Sequence, residues 1–260
     1  NIIERLTTNS SGQTETIELP APPIELSLNE ANTTRPYTTY NIRIEALGYE
    51  TEFIENAEIL PDVLAIQNVR LTSKNASLTE DIMIPDHTLY GEYPPKVPEE
   101  EIKPVNEPGE IVLSRVVVPE IIVVHDGIPS DSSAQNYYVN YRDYIKNVAS
   151  SEIYATWPTA TIEANVLAIM SFTLNRVYTE WYRNKGYNFT ITSSTAYDHK
   201  WIYGKTIYEN ISQIADRLYN RYLARPNVKQ PILTQYCDGK RVSCPNWMTQ
   251  WGSKALGDDG

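Results

Sequence analysis

The chain has 260 residues, 41% hydrophobic and 21% charged, with a formal net charge of −11 and two cysteines. That acidic balance argues against a nucleic-acid binder, which needs a basic face for phosphates, and no apolar run reaches the ~18–20 residues that span a bilayer. Two cysteines cannot staple a fold of this size, so its stability must come from apolar cores.

The opening Asn1-Ile2-Ile3-Glu4-Arg5 has neither a charged n-region nor an apolar h-region, so no signal peptide is expected and the start reads as a processed one. Residues 1–73 read as β structure. Thr14-Glu15-Thr16-Ile17-Glu18-Leu19 alternates and is stopped by Pro20, Pro22 and Pro23. Tyr40-Asn41-Ile42-Arg43-Ile44-Glu45-Ala46 alternates too, and Leu47-Gly48-Tyr49 is a turn signal. A further strand is expected over 63–71. Residues 74–118 carry Pro85, Pro94, Pro95, Pro98, Pro104 and Pro108, which break helices and central strands, plus the charge run Glu99-Glu100-Glu101. This is a connector, read either as a passive linker or as a segment lying along a partner surface.

From Ile121-Ile122-Val123-Val124 onward the β-branched run suits a buried strand. Tyr144, Ile145 and Val148 predict a short helix ending near Ser150-Ser151. Pro158, with Thr159 or Thr161 as cap, opens a long helix through Ile162, Val166, Ile169, Met170, Thr173, Val177 and Trp181. Residues 187–203 read as strands or an ordered loop. Ile207, Ile211, Ile214 and Leu218 mark a second amphipathic helix. The expected class is α+β: a small N-terminal β-sandwich (1–73), a Pro-rich connector (74–118), and a C-terminal mixed α/β unit with a long central helix (119–260). The N-terminal pattern is similar to carboxypeptidase-regulatory or transthyretin-like modules.

The segments differ in charge. Residues 1–120 hold 8 Lys+Arg against 21 Asp+Glu, a balance of −13; residues 121–260 hold 14 against 12, a balance of +2. All five Trp and 14 of 19 Tyr lie after residue 120.

There is no Gly-rich phosphate loop and no Gly-x-Ser-x-Gly elbow. His125-Asp126 follows an apolar strand, where an amidase metal site can begin, but a strand-end surface histidine is favoured over it. Cys237 and Cys244 flank an Asp238-Gly239 turn; a disulfide or close thiol pair is preferred to a zinc site with His199. No cofactor and no metal are expected. Glu152 sits in Val148-Ala149-Ser150-Ser151-Glu152-Ile153-Tyr154-Ala155-Thr156-Trp157-Pro158. Its apolar flank would desolvate the carboxylate and raise its pKa, as a general acid requires.

That segment resembles the Val-x-x-Glu-Met-Pro-x-x-Trp-Pro signature of the stage II sporulation protein D family, peptidoglycan lytic transglycosylases. Glu163-Ala164-Asn165-Val166-Leu167-Ala168 and the helix after it match the family's helix in register. Tyr203-Gly204 after Ser194-Thr195-Ala196, and Met248-Thr249-Gln250-Trp251-Gly252-Ser253, look like its later motifs. Two positions depart from it. Met170 stands where the family usually has Arg, and Asn246-Trp247 where a His-Gly pair often precedes the last motif, so no role of those positions carries over. With the β region and connector in front, the whole resembles clostridial spore cortex-lytic enzymes of the SleC type.

The resemblance implies a zymogen in the spore cortex or cell envelope, activated by a subtilisin-like germination protease, and a peptidoglycan-binding domain beyond Gly260; the exposed-looking Leu113-Ser114-Arg115-Val116 stretch of the connector puts the expected cut near residues 113–119. It implies Glu152 as the one acid/base for cutting the MurNAc–GlcNAc bond, leaving 1,6-anhydromuramyl ends. Asp198 is a candidate second carboxylate. Trp157, Trp247, Trp251, Tyr203 and Tyr236 are candidate sugar platforms; Gln250 and Asn165 are candidate partners for N-acetyl groups. A non-catalytic peptidoglycan-binding module and, behind it, a zinc amidase are the alternatives. The N-terminal domain or connector is expected to lie over the cleft near Glu152 and to restrain it.

Overall fold

The computed structural model describes residues 2–75, 81–103 and 112–260; Pro104, Pro108 and part of the predicted connector lie outside them. In chain order come α1 (Glu25–Leu28), β1 (Thr38–Ile44), β2 (Glu52–Ile59), β3 (Ala65–Ile66), β4 (Ile82–Met83), β5 (Ile121–His125), β6 (Asn136–Asn140), α2 (Tyr141–Glu152), α3 (Thr159–Tyr178), β7 (Ile191–Thr192), β8 (Ile207–Tyr208), α4 (Glu209–Leu218), β9 (Tyr236–Cys237), β10 (Met248–Thr249) and α5 (Gln250–Asp259). The class is α+β, with small sheets around a helical centre.

The N-terminal sheet has the order β1-β2-β4, antiparallel then parallel. Ile54, Ala57, Ile82 and Ile84 form its own apolar cluster. A bulge interrupts the β1–β2 register between Tyr40 and Ile42. Asn56 takes a left-handed φ of 62° there, and its N–H donates to the Asn41 Oδ1 at 3.1 Å. Asn tolerates that conformation because its short amide bonds locally. Thr14-Glu15-Thr16-Ile17-Glu18-Leu19 forms no strand. It adds to neither edge of the β1-β2-β4 sheet, so the predicted sandwich is one three-stranded sheet. Of the strand expected over 63–71, only β3 forms, and it pairs antiparallel with β8 from the far end of the chain.

The long central helix is α3. Residues on all its sides are buried, from Ile162 to Tyr178, as expected for a helix enclosed by others rather than lying on a surface. Helices α2, α4 and α5 pack around it. Pro158 occupies its N-cap with no side-chain hydrogen bond, so neither Thr159 nor Thr161 caps it. Thr161 instead donates to the Ser253 carbonyl at 3.2 Å, tying α3 to α5. Helix α4 buries Ile211, Ile214 and Leu218 of the predicted stripe together with Ala215, whereas Ile207 lies ahead of the helix in β8. Sheet β6-β5-β7 packs against α2, with Ile122 and Val124 in the main core.

The first segment shares the main core. Tyr37, Leu60 and Leu89 belong to the same apolar cluster as Tyr144, Ile169 and Trp201. The described connector is therefore not a passive linker. Residues 87–103 form a strap across the C-terminal segment. Val97 N–H donates to the Ala196 carbonyl at 2.6 Å, and Leu113 N–H to the Tyr178 carbonyl at 3.0 Å. Glu99 receives the Arg176 guanidinium at 2.5 and 3.0 Å. Gln235 brackets the Glu99 backbone, accepting at 2.9 Å and donating at 2.7 Å.

Candidate active site

Helix α2 is started by Asn140, whose side chain accepts from the Arg142 N–H at 3.0 Å. It ends at Glu152, because β-branched Ile153 turns extended (φ −133°, ψ 148°). The carboxyl group thus stands at a helix C-terminus, where the dipole disfavours negative charge. Glu152 is 4% exposed. Its Oε1 accepts from the Lys200 backbone N–H at 2.6 Å, and its Oε2 from the Tyr236 hydroxyl. Its backbone carbonyl accepts from Gln250 Nε2 at 2.8 Å. Burial raises the Glu152 pKa above the ordinary 4.5; the nearby Lys96 charge and the two hydrogen bonds pull the other way.

Glu152, Tyr236 and Gln250 meet at a cavity of about 220 Å³, whose walls also include Lys96, Asp198 and Arg241. The strap supplies one wall through Tyr93, Pro94, Pro95 and Lys96. Asp198 cannot act as a second free carboxylate. Its Oδ1 accepts from Arg176 Nε at 2.7 Å; its Oδ2 accepts from the Tyr182 hydroxyl at 2.6 Å and from Thr192 N and Oγ1 at 2.9 and 2.7 Å. It is the buried anchor of Arg176, which reaches on to Glu99 of the strap.

The other candidates divide. Trp157 and Trp251 are core residues, with ring centroids 4.9 Å apart. Trp157 Nε1 donates to the Ser27 carbonyl at 2.9 Å, so the N-terminal segment completes its seat. Asn165 is buried and donates to the Thr161 carbonyl and Ser253 Oγ, both at 2.8 Å. These three are enclosed in packing and do not line the cavity. Trp247 is half-buried in the loop before β10. Tyr203 lies in a separate, open cleft of about 500 Å³ with Tyr137, Trp201, Asp126 and Lys200. Its ring stacks on Tyr137 with centroids 4.9 Å apart. Lys200 links the two hollows, since its backbone holds Glu152 while it borders the second cleft.

Cys237 and Cys244 form a disulfide with Cα atoms 6.1 Å apart, which leaves no thiolate for a zinc site with His199. The loop it closes carries Arg241, whose guanidinium grips the strap carbonyls of Thr88, Tyr90 and Gly91. His125 ends β5 as expected but is buried rather than on the surface, stacked on Phe189 with centroids 4.4 Å apart. Among the described residues, no group of three or more His, Cys, Asp or Glu could hold a metal ion. No helix there is long and apolar enough to cross a membrane.

Sequence reasoning missed Lys96 and considered His199 only as a zinc ligand. Lys96 Nζ donates to the Asp198 carbonyl and lies 5.0 Å from the Phe172 ring centroid and 5.7 Å from that of Tyr236. His199 stacks under Tyr236, centroids 5.8 Å apart, and its Nδ1 meets the Tyr144 hydroxyl at 3.1 Å. Burial drives its pKa well below 6.5, so it is neutral. Nothing in Pro94-Pro95-Lys96 distinguishes this lysine from a solvated linker cation; only the fold brings it to Glu152.

A scan against protein-family models, a search of curated proteins and a search of solved structures each return no match.

Proposed function

We propose that the chain is a peptidoglycan lytic transglycosylase of the spore cortex, made as a zymogen, with Glu152 as its single acid/base. The observation that carries this is one desolvated, hydrogen-bonded carboxyl at an enterable cavity, next to an aspartate already committed to Arg176. Hydrolysis usually engages two carboxyl groups, one to protonate the leaving oxygen and one to act as nucleophile or to activate water. Here one group suffices. The Glu152 carboxyl proton passes to the glycosidic oxygen as the C1–O bond breaks. The resulting carboxylate then takes the proton of the muramyl 6-hydroxyl, whose oxygen attacks C1 of the same ring. Nucleophile and electrophile share a ring, so proximity replaces an activated water. The product end is a 1,6-anhydromuramyl residue, and Glu152 finishes protonated again.

The partners in this reading are peptidoglycan glycan strands and a subtilisin-like protease that cuts near residues 113–119. The crossing strap supports the zymogen reading, because it walls the cavity beside Glu152. The test is mass spectrometry of cortex glycan digested by the cut chain. Anhydromuramyl ends, reduced by at least ~10²-fold with Glu152→Gln, are expected; reducing ends or free stem peptides would reject the mechanism. A second reading, a binding module without chemistry, draws on Met170, which is fully buried where the resembled family has a cationic Arg. Glycan binding with no cleavage by any cut form would select it.

A further inference from the structure

Lys96 has no part in the acid/base chemistry above, yet the fold places its ammonium inside the pocket. The residue is half-buried, with its Nζ turned inward. Two aromatic faces, a backbone carbonyl and the Glu152 carboxyl surround that end. The rings and oxygens converging on that point attract positive charge, although burial outweighs them and holds the Lys96 pKa below its ordinary value. Glycosidic cleavage builds positive charge on the ring undergoing it, in an oxocarbenium-like transition state.

We propose that the pocket contains a cation subsite, formed by Glu152, the Asp198 carbonyl and the rings of Phe172 and Tyr236, and that Lys96 fills it in the intact chain as a tethered mimic of the cationic sugar. The ligand class of the subsite is an ammonium or another compact cation. The inference rests on the proposed glycan chemistry, since only that chemistry makes the ammonium a mimic.

The strap holds Lys96 there from both sides. Arg241 binds the carbonyls of residues 88, 90 and 91, ahead of it. Beyond it, Glu99 is locked to Arg176 and Lys103. The charges facing Nζ are attractive from Glu152, Asp198 and Glu99 and repulsive from Arg176; His199, under Tyr236, is neutral. Burial lowers the Lys96 pKa to about 8. The side chain is therefore charged at neutral pH and loses its proton in mildly alkaline solution. While charged, it favours the carboxylate form of Glu152, the form that cannot donate a proton.

The test is chemical rescue in the intact 260-residue chain. Glu152 is followed by carbon NMR of the side-chain carboxyl, a readout independent of glycan. In Lys96→Ala its titration midpoint should rise by about 1 pH unit or more, as expected on losing an adjacent opposite charge. Added n-propylammonium, which replaces the deleted atoms, should bring it back; n-propanol should not. Lys96→Arg, which retains the charge, should keep the low midpoint and guards against loss of fold in the alanine variant. An unmoved midpoint in Lys96→Ala, or equal rescue by the alcohol, overturns the cation subsite.

The second arm reads glycan cleavage. Intact Lys96→Ala should cleave cortex glycan at least ~10-fold faster than the intact native chain, and propylammonium should suppress the gain. If the cut native chain is active but intact Lys96→Ala stays silent, Lys96 is not the restraint. If neither cut nor intact chains cleave, the glycan reading fails, and with it the mimicry, while the NMR arm still decides the subsite.

Discussion

Each oxygen of Glu152 has its own donor, Lys200 N–H and the Tyr236 hydroxyl. Both favour the carboxylate, against burial, which dominates and raises the pKa. A general acid must be protonated, so activity should fall as pH rises through the Glu152 pKa, and a raised value moves that fall above the ordinary 4.5. Tyr236→Phe removes a hydrogen bond to the charged form, worth about 1.5–3 kcal/mol. At 1.36 kcal/mol per unit, the descending limb of kcat/KM should move up by about 1–2 pH units. A limb that stays put or moves down would show that Tyr236 does not tune this group. Glu152→Gln should cost about 10²–10⁴-fold in cleavage with the melting temperature retained. Asp198→Asn should act on folding, because the fully buried Arg176 would lose one of its two carboxylate partners and keep only Glu99, at a cost of up to about 3–5 kcal/mol. Thermal unfolding of that variant checks it. The burial of Glu152 was legible in the sequence because its apolar flank is local. The Arg176–Asp198–Glu99 chain was not, because its members are 22 and 77 residues apart.

Among the elements, helices were read well where their spacing was regular. The stripe from Ile207 to Leu218 pointed to α4, though Ile207 itself falls in β8, and the apolar run after Pro158 pointed to α3, though that helix stops at Tyr178 short of Trp181. Strand β2 escaped notice because the bulge at Asn56 breaks its alternation; Ala57 and Glu58 are both buried in succession. Glu58 has a reason to be inside. It forms an ion pair with Lys205, both buried, joining β2 to the segment that leads into β8. Removing one partner leaves a buried charge uncompensated, so Glu58→Gln should destabilise by about 3–5 kcal/mol. Paired replacement by apolar residues should cost far less, and comparing the two in denaturant melts tests it. The turn at Asp238-Gly239 was legible, with Gly239 at φ 80°, but no hairpin forms there, because β9 and β10 pair parallel. Its disulfide closes a short loop and should contribute roughly 2–3 kcal/mol. Cys244→Ser should lower the melting temperature, and it should also loosen the Arg241 grip, measured as faster proteolysis within residues 88–91.

For the molecule as a whole, the charge split of −13 against +2 and the shared core pull in opposite directions. The acidic first segment would repel polyanionic cortex, but only within a Debye length of ~8 Å at physiological salt. The strap acts at contact distance and does not depend on that field. Cutting the chain between residues 112 and 119 should therefore raise glycan cleavage at any ionic strength. Equal rates for cut and intact chains would reject restraint altogether. A difference that vanishes in high salt would make charge its cause. The pairing of β3 with β8 bears on how the chain is made. Gln67 accepts from the Thr206 hydroxyl 139 residues further along. At ~5–20 residues per second, synthesis needs about 7–28 s to bring that partner. The β1–β2 hairpin is local and forms in microseconds, but Ala65 and Ile66 wait with an open edge, exposed to strand-mediated aggregation. Nascent chains arrested before residue 207 should be cut readily by protease around residues 60–75, and chains with residue 218 clear of the ribosome should resist. Translation speed over the intervening stretch thus sets how long the unfinished protein stays vulnerable.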